Sequence, residues 1–276
     1  MIIWLASYPK SGNTWVRILI NQLLHFDEKN RNVLENLDNI ELYPKISQFS
    51  GLSENLSNRE NVVRNWVNSQ ERICADKKTR IFKTHNVLGG FGKDQFTNNK
   101  LTLGVIHIIR DPRNVISSIL NHYSLETLAE AKKFIFEKNN WIGGLNHLDT
   151  FISSWAIHYQ SWKSFKKNYL LIKYENLIKD PKYELIKISK YLREFFPHKL
   201  SERSLEIILD KSSFQNLKSL EKSGKFKEQI TSKSTGEKIN FFNLGPSNNW
   251  KKTLDPEISK KIEKEFRQEM LELGYL

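Results

Sequence analysis

Ile2, Ile3, Trp4 and Leu5 form a short apolar run, which predicts a strand covered on both faces. From Val16 the spacing changes: Val16, Leu19, Ile20 and Leu23 fall at i, i+3, i+4 and i+7, one face of an amphipathic helix. Residues 61–74 read as helical, and 80–84 as a second buried strand ending at His85. The clearest strand is 103–109, and it runs into Arg110-Asp111-Pro112. There Asp111 suits a helix N-cap, Pro112 the first helical position, and Val115, Ile116 and Ile119 its apolar side. Phe151, Trp155, Tyr159, Trp162 and Phe165 recur every three or four residues, which predicts an aromatic stripe on one helix, used for packing. A further strand is expected at 169–174, and Asp180-Pro181 opens a helix ending near Leu192. The last helix has Asp255 as N-cap, Pro256 after it, Ile258, Ile262 and Phe266 on one face, and Gly274 as its stop.

Between these elements the pattern weakens. Residues 27–61 predict only short helices and loops, Gly89, Gly90 and Gly92 a flexible turn, and 121–150 an inserted, partly mobile segment. Residues 219–240 are polar and read as a loop that orders over a ligand. Strand and helix alternate, with no internal repeat and no linker. The expectation is an α/β fold: a single domain over 1–276 with a central, mostly parallel sheet flanked by helices.

Composition narrows the class. A chain of 276 residues suits one large α/β domain or two small ones. Cys74 is the only cysteine, so an intrachain disulfide and a Cys-rich metal site are excluded, which fits a reducing compartment. There is no secretory leader pattern and no apolar run near the roughly 18 residues of a membrane span. The reading is a soluble, cytoplasmic protein. Lysine and arginine exceed aspartate and glutamate by 12, a balance that attracts nucleotides, nucleic acid and anionic lipid alike.

The candidate chemistry sits at the strand ends, where ligands bind in open α/β sheets. Pro9-Lys10-Ser11-Gly12-Asn13-Thr14 joins the first strand to the first helix and brings backbone N–H groups, an ammonium and two hydroxyls to the helix N-terminus. That is an anion cradle, or else a strand–turn–helix corner with a surface lysine. It is not G-x-x-x-x-G-K-S/T, since its lysine precedes its glycine. His85 by itself reads as an ordinary strand-end histidine, and Arg110 as a helix-terminal ion pair with Asp111 or a surface charge.

Together these clusters resemble the sulfotransferases that use 3′-phosphoadenosine 5′-phosphosulfate (PAPS). P-K-S-G-N-T-W at 9–15 is similar to their P-loop-like 5′-phosphosulfate loop, Lys83-Thr84-His85 to the K-T-H segment carrying the catalytic base, and Arg110 with Ser118 to the pair binding the 3′-phosphate. Tyr174 resembles the tyrosine near the adenine, and Ser212 a nucleotide-contacting position. Gly245 with Trp250 echoes R-K-G-x-x-G-D/N-W-K, but Asn243 and Leu244 stand where that motif has Arg and Lys. Lys225 or Lys238 would replace those cations only by loop movement. The resemblance covers most of the chain, with gaps at 27–75 and 121–150, and no dimer motif is recognisable after Trp250.

The resemblance implies in-line transfer of a sulfuryl group from PAPS to a hydroxyl or amine, with adenosine 3′,5′-bisphosphate as product and no metal. His85 would be the base, Lys10 would neutralise the bridging oxygen and Lys83 would hold the sulfuryl oxygens, while Ser11, Gly12, Asn13, Thr14 and Trp15 contact the 5′-phosphate. The acceptor would be a small molecule or glycan, walled by parts of 27–60, 86–96 and 121–150, with Phe91, Tyr123 and Trp141 as candidates. Two other readings stand beside it. One is a P-loop-type small-molecule kinase, whose usual G-K order and strand-end aspartate are missing here. The other is a non-enzymatic basic binder of nucleotide, nucleic acid or sulfated glycan, for which no nucleic-acid module is recognisable.

Overall fold

The computed structural model describes residues 1–30, 32–123, 125, 127–144, 147–226, 228 and 236–276, without the side chain of 147. In chain order its elements begin with β1 (Ile2–Ser7), α1 (Asn13–Leu24), α2 (Arg59–Arg64), α3 (Trp66–Ile73), β2 (Arg80–Thr84), β3 (Gly90–Phe91), β4 (Asp94–Gln95) and β5 (Thr102–Ile109). Next come α4 (Pro112–His122), α5 (Leu128–Phe136), β6 (Trp141–Gly144), β7 (His147–Phe151), α6 (Trp155–Lys163), β8 (Tyr169–Lys173), α7 (Tyr174–Lys179) and α8 (Pro181–Leu192). The chain closes with α9 (Glu202–Lys211), α10 (Phe214–Lys222), α11 (Trp250–Thr253), α12 (Pro256–Glu265) and α13 (Arg267–Glu272).

These elements form two compact units interleaved in sequence: Met1–Tyr8, Ile40–Ile109 and Phe136–Leu171 in the first, Pro9–Asn39, Arg110–Ile135 and Ile172–Leu276 in the second. The fold is α/β. Its main sheet has the strand order β2-β1-β5-β8, and β1 pairs in parallel with both neighbours, Leu5 opposite Lys83 and Ser7 opposite Ile108.

In the first unit, every residue of β1 is buried. Alternate residues of a strand share a face, so Ile2, Trp4 and Ala6 join Phe82 and Val105 in one core with Val62, Val63, Trp66 and Trp162 from the flanking helices. Trp4 is its centre, with ring centroids of Phe96, Tyr43 and Trp162 at 5.0, 5.4 and 6.4 Å. Its Nε1 donates to Thr102 Oγ1 at 3.0 Å, so the indole is buried without an orphaned donor.

In the second unit, α1 buries Val16, Leu19, Ile20 and Leu23 as the spacing requires. Asp111 caps α4 by accepting from Arg113 N at 2.9 Å, Asp180 caps α8, and Asp255 caps α12. Each is followed by proline at the first helical position, where a missing N–H costs nothing. Lys173 Nζ donates to the Leu273 carbonyl, and Tyr275 OH donates to Glu175 Oε2 at 2.9 Å, which ties down the C-terminal residues.

Several expectations are corrected. The aromatic stripe is not one helix: α6 holds Trp155, Tyr159 and Trp162, whereas Phe151 ends β7 and Phe165 lies past the C-cap Ser164. The spacing stayed near four residues across the β–α junction, so periodicity alone could not mark the change. Residues 121–150 contain α5 and the β6–β7 hairpin, whose alternation is broken by Gly143; a Cβ there would meet Asp149 Oδ1 at 2.3 Å. The glycine-rich turn at 89–92 is the β3–β4 hairpin. Tyr174 begins α7 instead of ending a strand, and the helices expected at 61–74 and at the C-terminus each divide, at Asn65 and at Phe266. The polar stretch at 219–240 starts with the end of α10; residues 227 and 229–235 of the expected loop lie outside the described residues. Among the described residues no helix is long and apolar enough to cross a membrane.

Candidate active site

The second unit contains the anion cradle. Lys10 has φ 66° and Gly12 φ 103°, a left-handed stretch that turns the chain sharply into α1. A Cβ at Gly12 would lie 2.5 Å from Tyr174 Cδ2, so glycine is required twice over, by backbone and by contact. Gly12 caps α1 with no side-chain bond and no acidic residue in its first turn. The positive end of that helix is therefore left for an outside anion. Ser11 is fully buried, and its Oγ has no hydrogen-bond partner among the described residues. Lys10 Nζ lies 4.0 Å from the Phe241 ring centroid. Phe241 is held in turn by its backbone N–H, donated to Glu221 Oε1 at 2.6 Å.

Arg110 follows directly on β5 and is 6 % exposed. Its Nη1 donates to the Lys10 carbonyl at 3.1 Å and to Ser118 Oγ at 3.2 Å; the i, i+8 spacing puts Ser118 two helical turns along α4. Its guanidinium carbon stands 4.2 Å from the Tyr174 ring centroid. Burial lowers the Arg110 pKa, with the carboxylates of Glu175 and Asp111 opposing it by charge. Tyr174 is itself raised, first by burial, so its hydroxyl stays neutral. Nε of Arg110 is buried and unbonded among the described residues. Among the described residues Nη2 makes no hydrogen bond either, so the edge formed by Nε and Nη2 is a fork for a planar or tetrahedral oxyanion.

The remaining expected nucleotide contacts lie in the same unit. Trp15 packs edge-on against Tyr174 at 6.0 Å and donates from Nε1 to the Ser212 carbonyl at 2.9 Å; Ser212 Oγ is buried without a partner among the described residues. Asn13 and Thr14 open α1 and are buried. At Gly245 φ is 51°, and a Cβ would strike the Phe214 ring at 2.2 Å. Asn248, which the sequence did not single out, donates to Ser118 Oγ at 3.1 Å and to the Asn114 carbonyl at 2.9 Å. Lys218 Nζ reaches the Asn243 carbonyl at 3.4 Å, a neighbouring cation outside any motif in the sequence.

The first unit holds Lys83 and His85. His85 Nδ1 lies 2.7 Å from the Ser7 carbonyl and 3.2 Å from Ser7 Oγ. A carbonyl only accepts, so Nδ1 carries the proton in the neutral ring and Nε2 carries the lone pair. The residues flanking it are hydrogen-bonded. Thr84 Oγ1 accepts from Asn86 N at 3.1 Å; buried Asn86 accepts from Phe151 N at 3.0 Å, and its carbonyl accepts from Trp162 Nε1 at 2.8 Å. Asn86 was missed as well, because a lone asparagine after a strand carries no pattern. Lys83 precedes His85 by two residues on β2, its backbone bonded to Glu41 and Tyr43.

Of the acceptor-wall candidates, Phe91 and Trp141 stack at 5.4 Å and both meet Phe151 at 4.9 Å in the first unit. Tyr123 belongs to the second unit, beside Phe134 and His122 at 4.9 Å each. No cluster of three or more His, Cys, Asp or Glu side chains suited to a metal occurs among the described residues.

The sulfotransferase domain model matches residues 2–274. Curated relatives include a 3-beta-hydroxysteroid sulfotransferase of Cavia porcellus, 27 % identical with 96 % of this chain and 82 % of that protein covered. Another is an amine sulfotransferase of Oryctolagus cuniculus, 24 % identical over 97 % of this chain and 80 % of that protein. A crystal structure of a mouse sulfotransferase complexed with PAP is similar in fold, with a TM-score of 0.59 at 20 % identity over 98 % of this chain and 84 % of that one. With a match over almost its whole length, the chain belongs to the sulfotransferase domain family.

Proposed function

We propose that this chain moves a sulfuryl group from PAPS to a hydroxyl or amine of a small-molecule or glycan acceptor in the cytoplasm, with residues 1–276 working as one domain. The observation that carries the reading is Arg110: a buried guanidinium with no ion pair among the described residues and an unused Nε–Nη2 edge. A buried cation with no carboxylate in direct contact is costly, and a phosphate at that edge lowers the cost. The orphaned hydroxyls of Ser11 and Ser212 and the uncapped start of α1 fit the same doubly phosphorylated nucleotide. The amine and steroid sulfotransferases among the relatives support an amine or hydroxyl acceptor.

When bound, PAPS supplies a sulfuryl group on a phosphate that leaves readily. In this reading Ser11, Gly12, Asn13, Thr14 and Trp15 hold the 5′-phosphate, Arg110 and Ser118 the 3′-phosphate, Tyr174 the adenine side, and Ser212 and Gly245 complete the nucleotide contacts. Nε2 of His85 takes the acceptor's proton, a role worth on the order of 10²–10⁴ in rate. The ammonium of Lys10 neutralises the departing oxygen, and Lys83 steadies the sulfuryl oxygens. The kinase alternative loses ground on Asp111, the carboxylate nearest the end of β5: both its oxygens accept from Arg113, at 2.7–3.2 Å, which leaves it poorly suited to hold Mg²⁺.

The test compares thermal shifts given by adenosine 3′,5′-bisphosphate, adenosine 5′-phosphate and ATP. A charge-assisted contact of about 1.5–3 kcal/mol predicts about a 10- to 150-fold preference for the bisphosphate. Equal affinity for the bisphosphate and the 5′-phosphate contradicts the proposal, and Mg²⁺-dependent ATP turnover would revive the kinase.

A further inference from the structure

We infer that Asn248 is a specificity-determining positioning residue: it converts the Ser118 hydroxyl into a dedicated donor for the 3′-phosphate. The inference rests on the proposed use of a 3′-phosphorylated nucleotide and names a residue through which this chain recognises it.

The argument is hydrogen-bond accounting at Ser118. The Asn114 carbonyl can only accept, so the Asn248 atom 2.9 Å from it is the amide nitrogen. That nitrogen has two protons, and the second goes to Ser118 Oγ at 3.1 Å. On its other side Ser118 Oγ receives Arg110 Nη1 at 3.2 Å. Two N–H donors fill both lone pairs of the hydroxyl, and its own proton meets no acceptor among the described residues. The orientation of Asn248 is fixed further by Ser117 Oγ, whose one proton serves Asn248 Oδ1 at 3.0 Å or the Asn114 carbonyl at 3.1 Å. Ser118 O–H and the unused edge of Arg110 are therefore donors only, a set suited to an oxyanion.

Without the Asn248 amide, one lone pair of Ser118 is released. The hydroxyl can then turn its proton back to the Asn114 carbonyl four residues earlier, the ordinary habit of a helical serine. Asn248 falls at the second glycine of the motif that Gly245 and Trp250 echo, and the nearby Asn243 and Leu244 are uncharged. A neutral side chain thus contributes to recognition in a stretch where Asn243 and Leu244 replace the Arg and Lys of the motif.

The experiment measures dissociation constants of adenosine 3′,5′-bisphosphate and adenosine 5′-phosphate for the wild type, Asn248→Ala, Ser118→Ala and the double variant. The wild type should prefer the bisphosphate. In Asn248→Ala that preference should fall about 2- to 12-fold, the worth of one neutral hydrogen bond. In the Ser118→Ala background the same substitution should change the preference by less than about twofold, since coupled residues are not additive. If Asn248→Ala is too unstable to assay, Asn248→Asp keeps the shape and the Ser117 contact, loses both donors and adds a negative charge, and should lower the preference further. An unchanged preference in the single variants, or an equal loss with and without Ser118, overturns the role of Asn248 while leaving the nucleotide reading intact. A wild type with no preference overturns that reading itself.

Discussion

In the proposed mechanism the tautomer of His85 is set by the Ser7 carbonyl, 2.7 Å from Nδ1. Deeper in the same unit burial holds two other histidines neutral. His107 and His158 are fully buried with ring centroids 5.9 Å apart, among Tyr8, Tyr159 and Tyr169. Burial pushes His107 down to about 3. His158 falls well below its usual range, first by burial and then by His107, against a smaller upward pull from the His85 backbone. The unfolded chain therefore binds protons that the folded chain refuses, and stability is lost as pH falls below about 6.5. Urea unfolding at pH 7 and pH 5.5 should differ by roughly 1 kcal/mol for each buried ring, and His158→Asn should reduce the difference. A flat profile contradicts neutral burial. Lys10, His85 and Arg110 were legible in the sequence because each polar residue stands at the end of an apolar run. Asn86 and Asn248 were not, since an amide gains its meaning from the atoms it bridges, and those come from residues 65 and 130 positions away in the chain.

The strand–loop–helix element at the N-terminus was readable almost to the residue, since an apolar run, a glycine and a change of period mark its three parts. The sequence places its glycine in a cradle; the structure adds that Tyr174, from a distant element, occupies the space a side chain at that position would need. Gly12→Ala should therefore cost stability, about 1 kcal/mol or more from the left-handed backbone alone, and should weaken adenosine 3′,5′-bisphosphate binding by displacing the Tyr174 ring that faces Arg110. Denaturation and titration of the one variant check both; full nucleotide affinity with the ring displaced would show that Tyr174 has no part in the site. Capped helices such as α4, α8 and α12 were equally legible, because Asp-Pro announces them. The pairs α9–α10 and β6–β7 were not. α9 buries only Ser204, Leu205 and Ile208, too few apolar positions to set a period, and Gly143 interrupts β6.

At the level of the whole chain, the alternation of strands and helices was enough to predict an α/β fold with a mostly parallel sheet. It could not predict that the chain divides into two units and passes between them five times, because that division depends on long-range contacts and not on local pattern. The proposed roles divide with it: nucleotide recognition falls to residues of the second unit, and proton removal, with Lys83, to the first. Binding and turnover should accordingly be separable by substitution. The most direct test follows sulfuryl label from PAPS across a panel of amine and hydroxyl acceptors, for the wild type and for His85→Ala, with adenosine 3′,5′-bisphosphate binding measured on both. The account predicts equal nucleotide binding, label on an acceptor with the wild type, and transfer lowered about 10²- to 10⁴-fold by His85→Ala. Near-wild-type transfer by His85→Ala, or label that never leaves the nucleotide with any acceptor, would contradict it.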